Sequence, residues 1–149
     1  MITNRTINDV NLAKKIRAEK IQKGFEITDN EVETMERGCV TINTLNRIEQ
    51  KQSELKTKLN DMGYFDTNIS NVLWNYTDIF NEHDFKRIID NNIVLRKAFF
   101  VYLDTPKDAI AKYHYDQFNR LEKVLVDLET NINYTINHYR RCGTFNCGE

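Results

Sequence analysis

The stretch TINTLNRIEQKQSELKTKLNDMG, residues 41–63, decides the fold class. Leu45, Ile48, Leu55, Leu59 and Met62 recur at steps of three and four, and Gln52 fills the one step that lacks an apolar residue. That spacing draws a single stripe along a helix and predicts a seam packed on another helix. Thr41 or Asn43 supplies the N-terminal cap, and Gly63 ends the run.

The same pattern returns downstream. Phe85, Ile88, Leu95, Phe99 and Tyr102 keep the step, with Asn92 in the gap and Asn81-Glu-His-Asp84 as the cap. This helix is expected to end at Leu103-Asp-Thr-Pro106, because proline cannot continue the hydrogen-bond ladder. After Pro106 a final helix is expected to about Tyr139, carrying Phe118, Leu121, Leu125, Leu128, Ile132 and Tyr139, with Thr135 in the seam. About 27 residues at 1.5 Å each span roughly 40 Å.

Upstream, Thr6-Ile-Asn-Asp9 opens a first helix that should run to about Lys23 and stop near Gly24, with Ile7, Val10, Ala13, Ile16 and Ile21 on its apolar side. Thr28-Asp-Asn-Glu31 is a capping box for a short helix ending at Gly38. Residues 64–81 are irregular and aromatic-rich, with Trp74 at their centre. Such a connector either folds back to close the core or presents a partner-binding loop. From Arg140 to Glu149 the pattern is lost and two glycines appear, which reads as a tail. The expected architecture is therefore all-α. It is an elongated bundle of about five helices over residues 1–139, two of them long and heptad-patterned, with an extended non-helical tail over 140–149.

Composition agrees. One proline and five glycines in 149 residues favour long helices over a many-turned β fold. With 21 basic and 22 acidic residues the chain lacks the basic surplus that duplex nucleic acid demands. The cluster Lys14, Lys15, Arg17, Lys20 and Lys23 reads as a solvated helix face. No stretch approaches a membrane span, and no apolar signal core follows Met1, so a reduced, cytosolic state at synthesis is expected. Neither nucleic acid nor membrane is expected as a partner.

One short phrase is written twice: Leu45-Asn-Arg-Ile-Glu49 and Phe118-Asn-Arg-Leu-Glu122. On a helix the apolar pair faces inward, Asn and Glu share the adjoining face, and Arg projects elsewhere. Asn46, Arg47 and Glu49 on one helix, with Asn119, Arg120 and Glu122 on the other, are therefore expected to pair the two helices through Asn–Glu or Arg–Glu hydrogen bonds. The alternative is a paired-acid site. Two glutamates without a histidine or further carboxylates in step are thin support for a metal or acid–base pair.

Other chemistry is sparse. His138, Cys142 and Cys147 spell H-x3-C-x4-C, open to zinc with an outside ligand, to a disulfide, or to two free thiols. Cys39 has no ordered His-and-Asp set behind it. His83 and His114 are isolated, and no nucleotide, hydrolase or metalloprotease motif occurs. Neither catalytic activity nor a cofactor is expected.

Four pieces in order carry a family resemblance. They are Asn4-Arg-Thr-x-x-Asp9-Val10; Thr41-x-x-x-Leu45-Asn-Arg-Ile-Glu49, closed by Leu59-Asn-x-x-Gly-Tyr64; Tyr115-x-x-Phe-Asn-Arg-Leu-Glu122; and Gly143-Thr-Phe-Asn-Cys-Gly-Glu149. Together they resemble small structural proteins from the tail modules of Gram-positive bacteriophages and related phage-tail-like particles. The chain departs from that pattern in its cysteine-bearing end, where relatives often have Tyr-Ser-Gly-Glu. The resemblance implies a virion component of the tail tip, baseplate or fibre-attachment complex, made in the host cytoplasm. Its partners would be other tail or baseplate proteins, and further copies of itself within the particle. The expected partner-binding residues are Thr144, Phe145, Asn146, Cys147, Gly148 and Glu149 in the tail, and Trp74 in the connector. The rival expectation is a small helical adaptor or regulatory protein of a mobile element.

Overall fold

The computed structural model describes residues 1–65 and 67–142, with side chains to His138. Among these residues the chain is all-helical: α1 Ile7–Glu19, α2 Asp29–Gly38, α3 Ile42–Asp61, α4 Glu82–Ala98 and α5 Tyr115–Cys142, with a 3-10 turn at Ile21–Lys23.

The predicted starts fall where the caps put them. Thr6, Thr28 and Asn81 each accept from the backbone N–H three residues on, and Asp9, Glu31 and Asp84 return the bond to the cap's own N–H. Thr41, rather than Asn43, caps α3. Gly24 and Gly63 close their turns at φ 72° and 92°, the left-handed region that a Cβ disfavours.

Four ends differ from expectation: α1, expected to run to about Lys23, stops at Glu19, and Ile21–Lys23 form a separate 3-10 turn before Gly24. α4 stops at Ala98, and Phe99 turns extended. Phe99 still reaches the core, but from outside the helix, while Tyr102 is exposed. α5 begins at Tyr115, leaving residues 99–114 as a second non-helical connector instead of a short turn around Pro106. At the other end α5 continues through Cys142, past the boundary set at residue 139.

α3, α4 and α5 enclose the core, built from Leu45, Ile48, Leu55 and Leu59, from Phe85, Ile88 and Leu95, and from Phe118 through Ile132 on α5. Phe85 stacks on Phe118 with ring centroids 4.7 Å apart. The polar residues in the stripe gaps cross-link the three helices. Gln52 Nε2 donates to Asn92 Oδ1 at 2.7 Å and to the Ile88 carbonyl at 2.8 Å. Asn92 Nδ2 donates to the Leu121 carbonyl at 3.0 Å. Buried amides paired this way fix the register of the helices against one another.

α1 and α2 form a hairpin beside this core. Ala13 is the only fully buried apolar residue of α1, and Ile7 and Ile21, expected on its apolar side, are exposed. The hairpin closes tightly at Gly38, where an added Cβ would sit 2.1 Å from the Asp9 carbonyl oxygen. Arg37 Nε pairs with Asp9 at 3.2 Å, and Lys20 Nζ with Glu31 at 2.7 Å.

Candidate functional site

The repeated phrase does something the sequence did not announce. Asn46 and Asn119 do not face the other helix. Each clamps the backbone of one extended residue. The Trp74 N–H donates to Asn46 Oδ1 at 2.8 Å, and Asn46 Nδ2 donates to the Trp74 carbonyl at 3.0 Å. On the second copy, the Arg5 N–H donates to Asn119 Oδ1 and Asn119 Nδ2 to the Arg5 carbonyl, both at 2.9 Å. An asparagine amide carries one acceptor and two donors, so it satisfies both polar groups of a residue that has no neighbouring strand.

The glutamate one turn later secures the same segment. Glu49, 2% exposed, accepts from the Val72 N–H at 2.6 Å and the Trp74 indole N–H at 2.6 Å. Arg87 of α4 closes on both of its oxygens, at 2.9 and 2.6 Å. Glu122, fully buried, accepts from the Ile2 N–H, from Arg5 at 2.8 Å and from Arg47 at 3.1 Å. The polarity is the same in both copies: the glutamate takes the earlier residue of the segment and the asparagine the later one. Each strap therefore runs antiparallel to the helix that holds it.

Of the six residues expected to pair helices, Arg47 and Glu122 do so, bonding α3 to α5 at 3.1 Å, and Arg47 also reaches Glu36 of α2 at 3.5 Å. Asn46, Asn119 and Glu49 hold straps or α4 instead. Arg120 is exposed and makes no hydrogen bond or ion pair among the described residues. Trp74 is 5% exposed, stacks edge-on with Phe80 at 5.5 Å and belongs to the core, so its indole is no surface for a partner. The other expected contacts, Thr144, Phe145, Asn146, Cys147, Gly148 and Glu149, lie outside the described residues.

A third clamp carries no repeat of the phrase. Asn91 of α4 accepts from the Ser70 N–H at 3.2 Å and donates to the Ser70 carbonyl at 2.8 Å, and Arg87 reaches that carbonyl at 2.6 Å. The connector before α4 is thus gripped from both sides. The connector before α5 is held by Arg96 on the Pro106 carbonyl, Gln117 on the Ile110 N–H and Asn131 on the Phe100 carbonyl. Sequence reading missed Arg5, Arg87 and Asn91; the usable signal was polar residues one turn apart on faces adjoining an apolar stripe.

These carboxylates are committed to arginines and backbone donors, which leaves them no lone pairs facing an open site. Among the described residues no group of three or more His, Cys, Asp or Glu is placed to hold a metal. Cys39 is half-buried, and burial pushes its thiol up against the opposing pull of Arg17 and Lys14, which disfavours the thiolate form. The exposed His114 pairs with the half-buried Asp116, whose carboxyl is lowered by that contact. No helix among the described residues is long and apolar enough to cross a membrane.

One concavity lies between the hairpin and the core. It is a cleft of about 340 Å³ walled by Ile7, Val10, Val40 and Tyr113 and rimmed by Lys14 and Arg37. Compared with known proteins, the chain matches no family model, no curated protein and no solved structure.

Proposed function

We propose that the chain is a non-catalytic structural component of a phage tail tip, baseplate or fibre-attachment complex, acting by protein–protein assembly in several copies. The ordered motif resemblance supplies the setting. The observation that carries the assembly reading is the amount of large apolar side chain left exposed outside the core: Phe25 on the hairpin, Phe65, Leu73, Tyr76 and Ile79 on one connector, and Phe100 on the other. Apolar groups collected at this density on loops mark contact surfaces. The long helices, read as heptad-patterned members of an elongated bundle, present those loops at the ends of a stiff body.

Mass spectrometry of purified phage or tail-like particles, calibrated against the tube protein, tests this. The chain is expected at a low fixed ratio. Its presence in infected-cell lysate but absence from particles would reject the structural role and favour the adaptor.

A further inference from the structure

The α1–α2 hairpin is divided by charge. On the α1 side, Lys14, Arg17 and Lys23 make no ion pair among the described residues. On the α2 side, Glu26, Asp29 and Glu33 make none either. Lys23 lies at the tip, in the turn Ile21–Lys23, while Lys14 and Arg17 lie toward the base. Lys14 rims the cleft at the base of the hairpin, and the charges of Lys14 and Arg17 both reach Cys39 there. Glu26 and Asp29 lie around the tip, interleaved with the exposed Phe25, at 62%, and Ile27. The base is a concave apolar wall with a cationic rim; the tip exposes Phe25 and Ile27, with Lys23 before them and Glu26, Asp29 and Glu33 among and after them.

We propose that the hairpin of one copy docks on the hairpin of a second copy, with the acidic Phe25–Glu33 tip of each seated in the cationic cleft of the other. Base and tip are separated by α1, whose 13 residues span about 20 Å at 1.5 Å each. Two hairpins laid antiparallel therefore make both contacts at once, which closes the pair with two-fold symmetry instead of leaving a growing end. The contact covers a hairpin that buries little by itself: helices of 13 and 10 residues are marginal without a packing partner. Opposite charge at the rim sets the antiparallel orientation, and Phe25 and Ile27 supply the apolar burial. The inference deepens the assembly reading by naming one contact between copies.

The test is sedimentation of the full chain across protein and salt concentration, with two charge-reversed variants. Lys14→Glu/Arg17→Glu and Glu26→Lys/Glu33→Lys alter only exposed groups, and circular dichroism checks that both stay folded. The wild type is expected to dimerise, more weakly at high salt. Each variant alone should raise the dimer dissociation constant by about tenfold or more. Mixing the two should restore the dimer, because both contacts then regain opposite charges. A wild type that stays monomeric, even one that binds an acidic peptide in the cleft, overturns the proposal, as does a dimer that neither variant weakens. A monomeric chain still found in particles would sink this contact and spare the assembly reading. A charge-sensitive dimer absent from particles would do the reverse.

Discussion

Asparagine at position 46 or 119 does work that no other side chain of its size can do. Aspartate lacks the donor, leucine lacks both groups, and each would leave a strapped carbonyl or N–H without its partner. Asn46→Leu and Asn119→Leu are each expected to lower stability by about 1–3 kcal/mol in urea unfolding, the usual cost of orphaning buried polar groups. Arg120→Ala, in the same phrase but solvent-exposed, should change it by less than about 0.5 kcal/mol. Glu122→Gln is the harsher change. It leaves Arg5, buried with it at 2.8 Å, without a counter-charge, and removal of one partner from a buried pair costs about 3–5 kcal/mol. At this scale the sequence was half legible. The phrase and its helical faces were plain, but its partners lie 28 and 114 positions away, and no local pattern points across such distances.

Among the elements, helix starts were legible because caps are local chemistry, and three capping boxes form as written. The ends of α4 and the start of α5 were not. Phe99 and Tyr102 stay in phase with the α4 stripe after the helix has stopped, so periodicity alone carries the expectation too far. The hairpin offers two predictions. Gly38→Ala should gain helix propensity, yet the methyl would meet the Asp9 carbonyl, so a net destabilisation of about 1–3 kcal/mol is expected in thermal unfolding. The hairpin should also be acid-sensitive. Glu31 is held down from 4.5 to about 2 by its hydrogen bond from Lys20, then by those from the Thr28 backbone and hydroxyl. A carboxyl with a depressed folded-state pKa contributes stability that is full above its unfolded value and fades as pH falls through the folded one. Hairpin stability should therefore fall modestly, because solvent screens the pair, between about pH 4.5 and 2 in an NMR titration, and Glu31→Gln should remove much of that dependence.

Across the whole molecule, the all-α class followed from three apolar stripes and few breakers, while the way the non-helical third is held did not. Residues 1–6, 67–81 and 99–114 have no period to read, yet amide and carboxylate side chains from α3, α4 and α5 bond their backbones directly. The helices thus act as edges for segments that lack a sheet, and the exposed side chains proposed as contact surfaces ride on straps anchored to the core. Native-state hydrogen exchange tests this most directly. The amides of Arg5, Ser70, Val72 and Trp74 should exchange as slowly as those in the middle of α3 and α5, and Asn46→Leu should release Trp74 while leaving Arg5 protected. Fast exchange at those four amides in the wild type, at the rate of unprotected loops, would contradict the clamps and leave the repeated phrase unexplained.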